Sequence, residues 1–268
     1  MPEGPECRHL TDILHQTLKH KDLESITILS GRYQRHGPPK GFNVIQDLLK
    51  QNPIKVIEIK VKGKFIYWKL EGGLYLWNTL GMSGQWTTNK DKHCHVEFLF
   101  TDRSRFYFRD IRNFGTLRFE TEITKKLSTL GHDILEPPLS NEKVVSLFRK
   151  RNTWCLPKFL MHQGYLSGVG NYLKCEALYA SRLSPFRTIE SLTDSEIITL
   201  YLELGRIAQE SYQSKGASFL TFRDPDSNKG RYSFNFQVYG QKMVDRYQVV
   251  RDVTGDKRST YWVKELQL

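Results

Sequence analysis

The sequence predicts an α+β protein of two domains. An N-terminal antiparallel β-sandwich is entered through one helix, and a C-terminal helical domain ends in a β-hairpin. Three observations carry this reading. Short runs between residues 25 and 119 alternate apolar with polar residues. From about Gly131 the apolar spacing becomes helical, and the turn-rich stretch Glu136-Pro137-Pro138-Leu139-Ser140 separates the two textures. The expected domains are residues 1–135 and 142–268, with 136–141 as linker and 237–268 as a terminal hairpin region.

Taken in order, Pro5 to Leu18 places Leu10, Ile13, Leu14 and Leu18 at helical spacing. Ile57, Ile59 and Val61 alternate with Glu58, Lys60 and Lys62, the period of a half-buried strand. The turn Lys62-Gly63-Lys64 follows, then strands at Phe65 to Leu70, Leu74 to Trp77, Val96 to Phe100, Phe106 to Phe108 and Thr116 to Phe119. Many short strands joined by Gly and Asp turns favour a sandwich or barrel. Helices are expected at Val144 to Arg149, Lys158 to His162, Asn171 to Ser181 and Asp194 to about Lys215. Thr193 and Glu196 form a capping box for the last of these, and Gly216 is its expected C-terminal cap. The alternating run Tyr232 to Tyr239 reads as extended. A final strand pair, Tyr247 to Arg251 and Arg258 to Val263, bends at Thr254-Gly255-Asp256.

Composition narrows the class of function. A chain of 268 residues with 39% hydrophobic and 12% aromatic content is too apolar to be disordered and long enough to bury a core. No apolar run approaches the roughly 18 residues of a membrane span, and MPEGPECRHL is no signal peptide, so a soluble intracellular protein is expected, and we take it to be a monomer. Four cysteines lie far apart without a CxxC pair, against both a disulfide scaffold and an ordinary zinc finger. Lys and Arg number 40 against 29 Asp and Glu, a net charge of +11. This excess is either a solubilising surface or the footprint of a polyanion, since neutralised phosphates release counterions.

Several residues stand out chemically, each with a plainer reading beside it. Removal of Met1 would leave Pro2 as a free secondary amine, nucleophilic in part near neutrality because α-amines titrate at about 7.7–8.0. Glu3 and Glu6 beside it are possible acids or bases, although Pro and acidic residues also simply favour a helix N-terminus. Lys64 sits on a turn where a solvated lysine is ordinary. The run Leu166-Ser167-Gly168-Val169-Gly170-Asn171 places glycines before a helix, where backbone amides can approach an anion. Met82, Arg112 and Phe114 lie on loops and either cap the core or wedge into a duplex. His93-Cys94-His95 reads as structural, and no metal is expected.

Together these pieces are far more specific than any one of them. With MPEGPE, Gly63-Lys64, LGMSG at Leu80 to Gly84 and RNFG at Arg112 to Gly115, the chain resembles the Fpg/Nei family of DNA glycosylases (formamidopyrimidine-DNA glycosylase and endonuclease VIII). LGHDIL at Leu130 to Leu135, GVGNYLKCEALY at Gly168 to Tyr179, QVYG at Gln237 to Gly240 and RSTYWVKELQ at Arg258 to Gln267 extend the match from end to end.

The resemblance implies a β-sandwich and a helix–two-turn–helix domain with damaged DNA, duplex or single-stranded, in the cleft between them. It implies a bifunctional glycosylase and abasic-site lyase of base excision repair that needs no cofactor. Pro2 is then the nucleophile and Glu3 the acid that assists sugar ring opening. Glu6 supports the site, and Lys64 contacts a phosphate or assists base release. Gly168, Gly170, Asn171 and Arg258 grip the DNA backbone, and Lys158 is a further contact. Met82, Arg112 and Phe114 fill the void left by the extruded base, and the loop from Phe222 to Ser233 touches that base. Strand cleavage proceeds by β,δ-elimination from a Schiff base.

Departures refine the picture. Two CxxC pairs would fall near Asp245 to Gln248 and at Val263 and Leu266, where no cysteine stands, so a zincless finger and the Nei-like branch are expected. His162 replaces an Asp of many relatives, and a Lys usual at the Pro157 position is displaced to Lys158. Oxidised pyrimidines and formamidopyrimidines are the favoured substrates. An 8-oxoguanine preference and a catalytically silent binder of damaged DNA stay open, and a nuclear location would follow only for a eukaryotic source.

Overall fold

The structure, a computed structural model, describes residues 2–217, 225 and 230–268. The chain divides into two compact units. One holds Pro2, Glu6–Ser128 and Ala217; the other holds Glu3–Pro5, Thr129–Gly216 and Arg231–Leu268.

From Glu6 onward helix α1 (Gly4–Leu18) belongs to the first unit, which continues through β1 (Asp22–Ile28), α2 (Arg32–Arg35) and α3 (Phe42–Leu49) and then becomes strand-rich. Its further strands are β2 (Ile54–Lys62), β3 (Phe65–Leu70), β4 (Tyr75–Thr79), β5 (Gly84–Thr87), β6 (Cys94–Phe100), β7 (Arg105–Asp110) and β8 (Thr116–Glu120), followed by the short α4 (Thr124–Ser128). Among the described residues these eight strands form one antiparallel sheet in the order β5-β7-β6-β1-β2-β3-β4-β8. Strands β1 and β2 pair only at Asp22↔Lys55 and Leu23↔Ile54, so the sheet folds there into two facing four-stranded layers. The layers meet through Trp68 of β3, whose ring lies 4.9 Å from that of Trp86 and 5.6 Å from that of Phe98. Trp86 Nε1 donates across the layers to Asn78 Oδ1 at 3.0 Å, which satisfies the indole that this packing buries. Helix α1 closes one side of the core with Leu10, Leu14 and Leu18, all fully buried. The expected sandwich is present.

Two details differ from the expected pattern. In β2 the buried residues are Ile54, Val56 and Ile59, not Ile57, Ile59 and Val61. A register shift between Val56 and Glu58 inserts one residue and exchanges the inward and outward faces. Strand β5 and helix α3 lay inside the expected strand region without being foreseen. All four residues of β5 are buried, so it shows no alternation.

The second unit contains β9 (His132–Asp133), α5 (Asn141–Arg149), α6 (Leu156–Leu160), β10 (Leu166–Ser167), α7 (Asn171–Ala180) and α8 (Asp194–Gln213). The α8 capping box is formed: Glu196 N donates to Thr193 Oγ1 at 3.2 Å and Thr193 N to Glu196 Oε2 at 2.7 Å. Its C-terminal stop uses the expected Gly216, at φ 82°, together with the residue before it. Lys215 takes the left-handed conformation (φ 61°), while Gly216 N donates to Ser211 O at 2.7 Å and Lys215 N to Tyr212 O at 2.9 Å. Residues Tyr232 to Tyr239 form no strand; a 3-10 turn covers Tyr232–Asn235. Two hairpins finish the chain: β11 (Met243–Val244) with β12 (Tyr247–Gln248), and β13 (Val250–Val253) with β14 (Ser259–Trp262).

Candidate active site and nucleic-acid interface

Glu3 is 2% exposed and holds the N-terminus of α7: Tyr172 N donates to its Oε1 at 2.9 Å and Leu173 N to its Oε2 at 3.3 Å. These are two of the four backbone donors a helix start leaves unsatisfied, and the helix dipole favours a carboxylate there. The glycines make room for it. A Cβ on Gly170 would lie 2.1 Å from Glu3 Cδ. Gly4 N donates to Gly168 O at 2.8 Å, and Gly168 has φ 98°, open to glycine alone at low cost. Gln163 fixes the turn from behind, donating from Nε2 to Val169 O at 2.9 Å and accepting at Oε1 from Gly168 N at 3.0 Å.

Asn171 begins α7 and donates from Nδ2 to Ser259 O at 2.9 Å, so it ties the helix to the strand that follows Arg258. Arg258 itself is exposed at the tip of the β13–β14 hairpin. The tip is anchored by Lys174, whose Nζ lies 2.8 Å from Asp256 Oδ2 with both side chains essentially buried. Burial alone would raise the Asp256 carboxyl, but the hydrogen bonds from Lys174 and Thr254 outweigh it and hold the group below the usual range. Glu176 accepts from the backbone N–H groups of Gln237, Val238 and Tyr239 at 2.7–3.0 Å and so fixes the QVYG segment. Burial, and after it the Glu3 charge, raise the Tyr239 phenol. Val263, Val249 and Val238 pack with Cys175 and Tyr179, and Leu266 joins them, so an apolar cluster stands where cysteine ligands would be expected. Burial pushes the Cys175 thiol up to about 12, which makes it an inert core residue. Among the described residues no group of three His, Cys, Asp or Glu side chains is placed to hold a metal.

Lys158 is exposed on α6 with Nζ 4.3 Å from the Trp154 ring centre, whereas Pro157 is buried in the same helix. His162 accepts at Nδ1 from Gly164 N at 3.2 Å and closes its own turn.

In the first unit Pro2 is buried, and Glu6, fully buried, accepts from Ala217 N at 2.6 Å. Lys64 is half-buried on the two-residue turn between β2 and β3, where Gly63 supplies the positive φ (59°) that a type II′ hairpin needs at its first position. Met82 and Phe114 do not cap the core, being 39% and 55% exposed. Their loops are joined by the buried Asp110. Its Oδ1 accepts from Ser83 Oγ at 2.5 Å and Arg112 N at 3.2 Å, and its Oδ2 accepts from Gly115 N at 2.6 Å. The Arg112 guanidinium lies 4.9 Å from the Phe114 ring centre, a cation–π pair. His95 is structural, with Nε2 2.8 Å from Asp110 O and Nδ1 2.8 Å from Ser30 Oγ.

The structure thus gathers Glu3, Gly168, Gly170 and Asn171 in the second unit and links Asn171 through β14 to the hairpin that carries Arg258. It gathers Met82, Arg112 and Phe114 in the first. Asp110, Gln163, Lys174, Glu176 and Asp256 were not singled out from sequence. The available signal was a charged or amide side chain inside an otherwise apolar segment, as at Lys174 and Glu176 within α7. The Phe222 to Ser233 loop lies mostly outside the described residues.

With this geometry in hand, two family models match: the formamidopyrimidine-DNA glycosylase N-terminal domain over residues 1–117 and the formamidopyrimidine-DNA glycosylase H2TH domain over residues 130–223. Formamidopyrimidine-DNA glycosylase of Wolbachia pipientis subsp. Culex pipiens (strain wPip) is 30% identical over 278 residues, covering 100% of both chains. The same-named protein of Mycoplasma genitalium is 29% identical over 251 residues, covering 90% of this chain and 86% of its own. Among solved structures, the MutM (Fpg) protein from Thermus thermophilus superposes with a TM-score of 0.85 at 25% identity over 99% of this chain and 98% of that one. Lactococcus lactis Fpg, solved with abasic-site DNA, shares the fold with a TM-score of 0.86 at 20% identity over 99% of each chain.

Proposed function

The chain belongs to the formamidopyrimidine-DNA glycosylase family, and on that premise we propose that it excises oxidised bases from DNA and cleaves the strand through a Schiff base on Pro2. The observation that carries this reading is the Glu3 carboxyl, buried next in sequence to Pro2 and oriented by two backbone N–H groups at the start of α7. Damaged DNA is the partner. A net charge of +11 supplies the sequence-independent attraction, and a lesion lowers the few-kcal/mol cost of extruding the base.

The chemistry follows from the residues. With Met1 removed, the Pro2 nitrogen attacks C1′ and gives up its own proton, and the glycosidic electron pair leaves with the base, which takes up a proton. The sugar ring then opens as the C1′–O4′ bond breaks. Glu3 gives O4′ its proton, and the nitrogen lone pair forms the iminium. Its positive charge acidifies the 2′ proton, so loss of that proton expels the 3′ phosphate; a second elimination expels the 5′ phosphate. Lys64 contacts a phosphate or assists base release. Glu6 holds Ala217 and steadies the start of the chain. Gly168, Gly170, Asn171, Arg258 and Lys158 hold the DNA backbone, while Met82, Arg112 and Phe114 replace the extruded base.

We favour formamidopyrimidines and oxidised pyrimidines as substrates. The relatives' name supports the first, and an L. lactis Fpg structure with an oxidised pyrimidine in its DNA supports the second by analogy of fold. The apolar cluster around Val263 supports a zincless finger. The test is a lesion panel in single- and double-stranded oligonucleotides with wild-type protein and Pro2→Gly. Base loss with β,δ-cleavage products is expected, strongly reduced in the variant, which replaces the secondary amine with a primary one. Tight binding without cleavage would instead identify a silent binder.

A further inference from the structure

We propose that Asp110 is a positioning residue that locks the loops bearing Met82, Arg112 and Phe114 into one rigid wedge. The proposal rests on the void-filling reading above and adds to it the part that sets the wedge. Each loop alone is short, exposed at its apex and rich in conformational freedom. One buried side chain bonds to both. Asp110 is 1% exposed, and its two oxygens accept one side-chain donor from the first loop (Ser83 Oγ) and two backbone donors from the second (Arg112 N and Gly115 N). Ser83 Oγ also accepts from Arg112 N at 3.0 Å, so the three groups close a small network. A backbone N–H held at each side of residues 113 and 114 fixes where Phe114 projects, and the Arg112–Phe114 pair keeps these two side chains of the second loop together.

The Asp110 backbone is itself held. Asp110 N donates to His93 O at 3.0 Å, and the Asp110 carbonyl meets His95 Nε2, whose other ring nitrogen meets Ser30 Oγ. The His93-Cys94-His95 run thereby finds a use without a metal. Close approach of the loops is also built into the backbone. A Cβ on Gly81 would lie 2.8 Å from both Gly115 N and Phe114 C, and Gly81 has φ 60°. Asn113, with φ 56°, accepts at Oδ1 from Arg32 N at 3.2 Å, and Arg32 Nη1 donates to Gly115 O at 3.2 Å. The wedge is therefore pre-organised, so its ordering cost is met at folding and not again at each encounter with DNA.

The experiment compares wild type, Asp110→Asn and the milder Ser83→Ala. Three readouts separate wedge from chemistry: excision of a formamidopyrimidine from duplex DNA, fluorescence of a 2-aminopurine placed beside the lesion, and borohydride trapping on a single-stranded abasic-site oligonucleotide that has no stack to enter. Loss of charged hydrogen bonds to the loops should lower duplex excision and the fluorescence rate about tenfold or more in Asp110→Asn, and a few-fold in Ser83→Ala. Single-strand trapping should stay within about twofold of wild type in both, since neither residue meets the reacting sugar. Unchanged duplex excision in both variants overturns the proposal. So does a parallel fall of duplex excision and single-strand trapping, which would mark a merely structural role. A wild-type protein that neither excises nor traps removes the enzymatic reading first, and the proposal with it.

Discussion

Asp256→Ala should destabilise the second unit far more than an average surface change. The Lys174–Asp256 pair has its nitrogen and oxygen 2.8 Å apart, with side chains 0% and 4% exposed. Truncating one partner leaves an ammonium buried without its counter-ion, which typically costs about 3–5 kcal/mol. At 2–4 °C per kcal/mol for domains of 150–250 residues, the melting point should fall by roughly 10 °C. The assay is thermal unfolding followed by circular dichroism and by intrinsic tryptophan fluorescence, to which Trp262 on β14, donating to Asp252 Oδ2 at 2.9 Å, contributes. The double variant Lys174→Met/Asp256→Asn removes both charges and should recover much of the loss. Asp47→Ala, which breaks the exposed Lys50–Asp47 pair, is the control and should change stability little. A fall of less than about 1 kcal/mol in Asp256→Ala would refute the view that this pair anchors the hairpin tip.

Four further outcomes are expected. The Asp256 contribution should be present above the usual aspartate range of about 3.9 and fade as pH falls through the lowered folded value, because the native carboxyl binds its proton less readily than the unfolded one; a pH-independent gap between wild type and Asp256→Asn in acid unfolding would contradict this. Arg258→Ala should weaken DNA binding and reduce the slope of log affinity against log salt by about one, measured by anisotropy, and an unchanged slope removes Arg258 from the contacts. Gly170→Ala should cut excision at least tenfold by displacing Glu3, because its allowed backbone (φ −131°) leaves the 2.1 Å clash as the defect; wild-type kinetics would show that the carboxyl's position does not matter. Chelator treatment should leave strand cleavage intact, and a loss restored by added zinc would overturn the zincless reading.

The sheet was legible where one face is buried and the other wet, as in β8, where Leu117 and Phe119 are buried, Arg118 is exposed and the expected strand Thr116 to Phe119 falls within the observed limits. It was illegible where that contrast vanishes, as in the fully buried β5, or where a bulge reverses the faces, as in β2. The run Tyr232 to Tyr239 misled because its tyrosine and phenylalanine residues suggested alternation. Yet Tyr232, Phe236 and Tyr239 are spaced by four and three, and all three rings pack on Tyr172 at 5.3–6.3 Å. The backbone there is held instead by the Glu176 carboxylate, a long-range partner that no local pattern shows. The same holds at the candidate site. The motifs pointed to Glu3, the glycine turn, Lys64 and the exposed loops only when read together, because each of these residues alone is ordinary for its local element. Asp110 and Lys174 stayed hidden because their meaning lies in partners such as Ser83 and Asp256, brought to them only by folding.

The most direct measurement is the identity of the atom that bonds to the sugar. Protein incubated with an abasic-site duplex and borohydride should give a covalent adduct whose digested N-terminal peptide lacks Met1 and carries the deoxyribose remnant on the Pro2 nitrogen. An adduct on Lys64 or any other side chain, or full activity from protein that retains Met1, would contradict the account.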